Sequence, residues 1–145
     1  MDKNLTPGKN MGAAIQLKEF HVVNVAFFNP PDQDLESLKN FNLAIKQGIP
    51  ASDPATSFHI ILSLELFFPE IKFKLNVDLL GLFTSQVVSV DEEFMKSPFV
   101  KVNAPAILYP YLRAFVSSFM ATAGFQTPIL PSINFAQRLQ AGNTN

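Results

Sequence analysis

Between residues 58 and 79 the chain writes one pattern twice. In "FHIILSLELF" every second place is apolar: Phe58, Ile60, Leu62, Leu64 and Leu66. In "IKFKLNVDL" Ile71, Phe73, Leu75, Val77 and Leu79 repeat the spacing. A period of two marks a strand with one buried face. The alternate places of the second segment are polar throughout, Lys72, Lys74, Asn76 and Asp78. Those of the first are mixed, with His59, Ile61, Ser63 and Glu65. Pro69 and Glu70 stand between the segments as a tight turn, so the reading is an antiparallel hairpin with one apolar face. That face needs further strands beside it and a cover over it. Gly81 then interrupts the pattern just before Leu82 and Phe83.

The strands are found upstream. "IQLKEFHVVNVAFF" (15–28) alternates at Ile15 and Leu17, slips phase to Phe20 and Val22, and slips again to Val23, Val25 and Phe27. A strand that changes phase this way implies a bulge, or ends that are buried differently. "NPPDQD" (29–34) ends it, because consecutive prolines cannot continue a ladder. A shorter alternation follows at Phe41, Leu43 and Ile45, and "KQGIPASDPATS" is a loop.

The cover lies downstream. After an irregular stretch at 84–102, in which "DEEFMKS" makes a short helix or turn, comes "NAPAILYPYLRAFVSSFMATAGF" (103–125). Leu108, Leu112, Phe115, Val116 and Phe119 fall at helical spacing, flanked by Tyr111 and Met120, with Arg113 the only charge. Pro110 suits a first helical turn and Gly124 a C-terminal cap. "TPILP" breaks the chain, and "INFAQRLQ" makes two turns of a last helix. Strands first and helices last give an α+β fold with the helices on one sheet face. The expected organisation is a mobile leader at 1–14, one domain at 15–140 and a disordered tail at 141–145.

Composition sets a problem for such a domain. Apolar residues make up 48% of the 145 and charged ones only 16%, against about 25% in a typical soluble domain. Fifteen residues are Phe, and none is Trp. One domain of this size struggles to bury that surface alone, so the chain either oligomerises or exposes apolar patches for use. The formal net charge is −1 with no basic stripe, which argues against nucleic acid as a partner. Without Cys there are no disulfides, thiolate chemistry or Cys-based zinc sites. The N-terminal stretch lacks a long apolar core and no apolar run spans a bilayer, so the expectation is a cytoplasmic protein without membrane insertion.

Catalytic motifs are missing. There is no GxGxxG, P-loop or GxSxG. His21 and His59 read as ordinary sheet residues, and Asp91, Glu92 and Glu93 as a solvated helix start. The expectation is a protein that is not an enzyme and uses neither metal nor cofactor.

The C-terminal third resembles the bacterial export chaperone family SecB and its SecB-like relatives. The residues that carry the likeness are Asn103, Ile107, Leu108, Tyr109, Pro110 and Tyr111, then Pro131, Asn134 and Phe135. Gly81-Leu82-Phe83 is similar to the family's Gly-Ile-Phe at a strand end, and 15–30 aligns without gaps. The resemblance covers about residues 15 to 140 of the chain. It implies a four-stranded antiparallel sheet with two C-terminal helices on one face, assembled as a homotetramer, a dimer of dimers. Leu112, Phe115, Val116 and Phe119 of the long helix are then interface residues. The implied function is that of an ATP-independent holdase that binds unfolded or aggregation-prone polypeptide along apolar grooves. The matching groove positions are Phe41, Leu43, Ile45, Ile129, Leu130, Ile133, Phe135 and Leu139, with Phe27 and Phe28 on a second apolar surface. The bare alternation of Phe41, Leu43 and Ile45 is equally that of an edge strand packed on the core.

One departure narrows the expectation. Family members serving secretion dock the motor SecA through acidic residues on the sheet. The aligned positions here are Asn24, Phe28 and Asn76, none acidic, and Lys74 occupies an apolar docking position. Without those carboxylates the charge complementarity is lost, which argues against hand-over to SecA. It favours the family's other branch, chaperones that protect the antitoxin of a toxin–antitoxin pair. A general export chaperone, a module for a small apolar ligand and a purely structural homo-oligomer are the alternatives.

Overall fold

The computed structural model describes residues 15–50, 56–86 and 89–143. The expected leader at 1–14, part of the second loop and the last two residues lie outside the described residues. Four strands, β1 (Ile15–Phe28), β2 (Phe41–Gly48), β3 (Ser57–Phe68) and β4 (Phe73–Ser85), form one antiparallel sheet in the order β1-β4-β3-β2. The two cleanly alternating segments are its central pair. Their inner faces are closed almost completely, with Phe58, Ile60, Leu62, Leu75, Val77, Leu79 and Phe83 all at 0% exposure. The Phe58 and Phe83 rings stack 5.3 Å apart across the pair.

The phase slips of β1 have a structural cause. Its ladder with β4 shifts register between Leu17 and Glu19 and again between Val22 and Asn24, so Lys18 and Val23 are each left without an opposite residue. Each bulge returns the next apolar residue to the same side. As a result Ile15, Leu17, Phe20, Val22, Val25 and Phe27 all stand opposite inner-face residues of β4.

The β3–β4 turn is one place where the alternation misleads. Ile71 is not part of the buried row; it sits exposed in the turn. Lys72 follows with φ +57°, and its N–H donates to the Phe68 carbonyl at 2.8 Å. The Asn29 amide, turned to donate, meets the Lys72 carbonyl at 3.0 Å and ties the end of β1 to this turn.

Three helices follow. Helix α1 (Glu92–Met95) is a single turn capped by Asp91, whose carboxylate accepts from Phe94 N–H at 2.8 Å. A π-helical turn (Phe99–Asn103) leads into the long helix α2 (Ala104–Thr122). The helix therefore begins before Pro110, not at it: Pro105 takes the first-turn position and Pro110 lies inside. Pro110 and Ala106 are both exposed, so the carbonyl that loses its i+4 donor belongs to the exposed side of the helix. The buried stripe runs Ala104, Leu108, Leu112, Val116 and Met120. Met120 is core, while Phe115 and Phe119 are its half-buried shoulder. Leu108 seats directly over Gly81, where any Cβ would meet its methyls at 2.8 and 2.9 Å. The glycine that interrupts the alternation is thus the socket for the helix.

Gly124 ends α2 as expected. With φ +92° it allows Gly124 N–H to reach Ala121 and Phe125 N–H to reach Met120, the paired bonds of a Schellman cap. The last helix, α3 (Phe135–Asn143), continues through residues expected to belong to a tail.

Candidate functional site

The eight expected groove residues separate into three kinds of environment. Leu43, Leu130 and Phe135 are buried and belong to the core. Phe41, Ile45 and Ile133 are half-buried against it, and Leu139 is half-exposed on α3. Ile129 is different again, standing 95% exposed. For Phe41, Leu43 and Ile45 the edge-strand reading and the groove reading overlap. They pair with Leu66, Leu64 and Leu62 on the inner face of edge strand β2, and the outer two leave part of their surface open.

The segment between α2 and α3 is held by Tyr109. Its hydroxyl donates to the Pro131 carbonyl at 2.7 Å, and its ring meets Phe135 edge-on at 5.8 Å. Burial pushes the Tyr109 phenol above its ordinary pKa, while the positive charge of Arg113, 5.8 Å from the ring centre, works in the opposite direction. Asn134 caps α3 by accepting from Gln137 N–H at 2.9 Å. Tyr109, Pro131, Asn134 and Phe135 of the recognised motif are therefore one device that sets the course of residues 125–134 beside the sheet.

That course opens a cleft the sequence did not reveal. Phe68 and Ile71 from the β3–β4 turn, Met120 and Phe125 from the end of α2, and Pro128 and Ile129 enclose about 460 Å³, with Glu70, Gln126 and Thr127 at its lining. Only Ile129 of these was a candidate. Met120 reads from the sequence as a flank of the helical stripe, and Gly124 as the cap that ends it, but only the tertiary fold brings the capped turn against Phe68 and Ile71. Phe27 joins this neighbourhood from β1, with its ring 5.3 Å from Phe125 and 5.8 Å from Phe119. Phe27 is thus half-buried on the helix side of the sheet, whereas Phe28 is exposed on the opposite side. The two do not form one surface.

The expected interface residues also divide. Leu112 and Val116 are fully enclosed between α2 and the sheet, so they cannot touch another chain. Phe115 and Phe119 keep partial exposure. The larger apolar surface lies beside them: Phe20 and Tyr111 are 41% and 43% exposed with ring centres 4.5 Å apart, and Val23 is 54% exposed at its bulge.

Register puts Asn24, Phe28, Lys74 and Asn76 together on the outer sheet face, opposite the helices. Asp78 shares that face, as does Glu65, whose carboxylate lies 3.8 Å from the Lys74 ammonium. His21 and His59 are also there, His21 3.5 Å from Glu19. Among the described residues no group of three or more His, Asp or Glu is arranged to hold a metal ion. No described helix is long and apolar enough to cross a membrane.

Comparison with known proteins brings these features under one heading. A family model described as preprotein translocase subunit SecB matches residues 13–143. An uncharacterized protein of Methanocaldococcus jannaschii is 27% identical over 128 residues, covering 85% of this chain and 81% of its own. The protein-export protein SecB of Cupriavidus taiwanensis is 36% identical over 76 residues, and that of Dechloromonas aromatica 40% identical over 72. Those two alignments span 42% and 45% of the relatives' own length, and 50% and 47% of this chain. Among solved structures, a SecB-like chaperone of Mycobacterium tuberculosis in complex with an antitoxin peptide superposes with a TM-score of 0.60 at 17% identity, over 87% of this chain and 92% of that one. A protein of unknown function from Streptococcus agalactiae gives 0.63 at 11% identity, over 82% and 97%. At such identities the likeness is one of fold.

Proposed function

Because the chain belongs to the SecB family, whose chaperones are not enzymes, we propose that it is an ATP-independent holdase for unfolded or aggregation-prone polypeptide. One observation carries the reading: apolar side chains stay at least partly open on the edge strand, on the segment between α2 and α3, and on α3. Phe41 and Ile45 line the edge strand, Ile133 and Leu139 border α3, and Ile129 projects beside the 460 Å³ cleft. Burial of apolar surface is non-directional, at roughly 25 cal/mol per Å². Such a surface tolerates many clients where a hydrogen-bonded pocket would select one.

Within that activity we favour a dedicated client of the antitoxin type over delivery to SecA. The outer sheet face supports this choice, because Asn24, Phe28 and Asn76 offer no carboxylate and Lys74 adds a cation. The Mycobacterium tuberculosis relative, solved with an antitoxin peptide, supports it as well. A homotetramer is part of the proposal, and the exposed pair Phe20 and Tyr111 with Val23 supports an interface on that side. The cleft volume also suits a small apolar ligand; mass spectrometry of an organic extract of the purified protein distinguishes that occupant.

The test is a titration of a reduced, alkylated and therefore permanently unfolded polypeptide carrying a fluorophore. Wild type binds it, and Phe41→Ser with Ile129→Ser weakens binding at least tenfold while circular dichroism stays unchanged. Leu43, being core, is left intact. Equal affinity in both proteins would remove these residues from the groove.

A further inference from the structure

The α3 helix carries a single cation, Arg138, and its position relative to β2 follows from the ladder. Phe67 N–H donates to the Asn40 carbonyl at 3.1 Å. In an antiparallel pair the bonded and non-bonded positions alternate. Asn42, Ala44 and Lys46 therefore exchange bonds with β3, while Phe41, Leu43, Ile45 and Gln47 turn N–H and C=O toward the open edge. β2 is the edge strand on this side, so these outward groups are a template on which an extended chain can pair. One of them is already taken: the Arg138 guanidinium donates through Nη2 to the Leu43 carbonyl. Among the described residues Arg138 has no carboxylate partner, so its charge is not committed to a neighbouring side chain.

α3 contacts chiefly the turn at Phe99–Asn103 and is anchored at its start by Asn134 and the buried Phe135. Ala136, Gln137, Gln140 and Ala141 are exposed, and Leu139 is half-exposed. This charge-assisted bond ties α3 to the edge of β2. The same bond joins the strand that carries Phe41 and Ile45 to the helix that carries Leu139, the two sides of the apolar strip.

We infer that Arg138 is a positioning residue for client capture: it latches α3 to the edge of β2 by occupying the Leu43 carbonyl, and a client segment that pairs with this edge must displace it. This inference rests on the holdase reading, and it adds the residue that sets the rate of opening. A client N–H directed at Leu43 replaces the guanidinium, α3 swings outward, and the apolar strip becomes continuous with the paired strand. Lys at the same position also donates to a carbonyl and preserves the latch in part. Ala does not.

Full-length wild type, Arg138→Ala and Arg138→Lys are compared in two measurements. Hydrogen exchange of the α3 amides reads the latch without any client. Stopped-flow association of the fluorescent unfolded polypeptide reads the consequence. In Arg138→Ala, α3 exchanges at least tenfold faster and association is at least threefold faster, and Arg138→Lys lies between it and wild type in both. Unchanged α3 exchange in Arg138→Ala overturns the latch. Faster exchange with unchanged or slower association overturns its role in capture, since it means that Arg138 merely steadies the helix or touches the client itself. Absence of binding in all three proteins overturns the holdase reading and the capture role with it, and the exchange arm then still decides whether Arg138 holds α3.

Discussion

Gly81, Lys72 and Tyr109 each hold a position that another residue would fill differently. A Cβ at Gly81 collides with both Leu108 methyls, and the collision lies at the centre of the sheet–helix contact. Gly81→Ala is expected to cost about 1–3 kcal/mol by overpacking, read from urea unfolding. A neutral result would mean that α2 shifts freely on the sheet. At Lys72 the left-handed backbone of φ +57° disfavours any side chain. Lys72→Gly relieves it and is expected to gain about 0.5–1 kcal/mol net of the entropy glycine adds to the unfolded chain. Tyr109 couples stability to pH. Burial raises its folded pKa above the ordinary 10.0, so the folded state holds the phenolic proton more tightly than the unfolded one. Its contribution is complete below about pH 10 and declines as pH rises through the folded value. Tyr109→Phe loses the bond to Pro131, at about 1 kcal/mol, and flattens that alkaline decline.

At the scale of elements, legibility follows how local the deciding physics is. The β3–β4 pair was readable because a strict period of two states both the element and its buried face. The slips in β1 were readable as irregularity, though their purpose, keeping six apolar residues on one side, appears only in the register with β4. Pro110 misled because a proline inside a helix is normally excluded, and here it lies on the exposed side of α2, as does Ala106, whose carbonyl loses its donor. Restoring the N–H tests this directly: Pro110→Ala is expected to raise stability by about 1–3 kcal/mol. A loss would mean that the helix geometry depends on the ring. Among the site residues, composition alone could not separate Leu112 and Val116, which face the sheet, from Phe115 and Phe119 one helical step away. The cleft was illegible for a stronger reason. Its walls come from residues 68–71 and 120–129, joined only by the tertiary fold.

The whole molecule still has more apolar surface than one chain hides. Phe20 and Tyr111 meet where β1 lies beside α2, Val23 and Val25 are exposed further along β1, and Ile71 and Ile129 stand at the far end of α2. We assign the first group to assembly and the second to client capture, and the two separate by mutation. If the proposed tetramer forms through this surface, Phe20→Asp with Tyr111→Asp is expected to reduce the mass measured by light scattering below that of wild type while the monomer stays folded. An unchanged mass would move the interface elsewhere. The central claim is that this surface keeps unfolded chains in solution with no energy source. The measurement that bears on it most directly is light scattering of several unrelated unfolding proteins, in nucleotide-free buffer, with this chain at a fourfold molar ratio to client. Suppressed aggregation of at least one client, lost in Phe41→Ser with Ile129→Ser, is the predicted result. Equal aggregation with and without the protein for every client, a toxin-system antitoxin included, would contradict it.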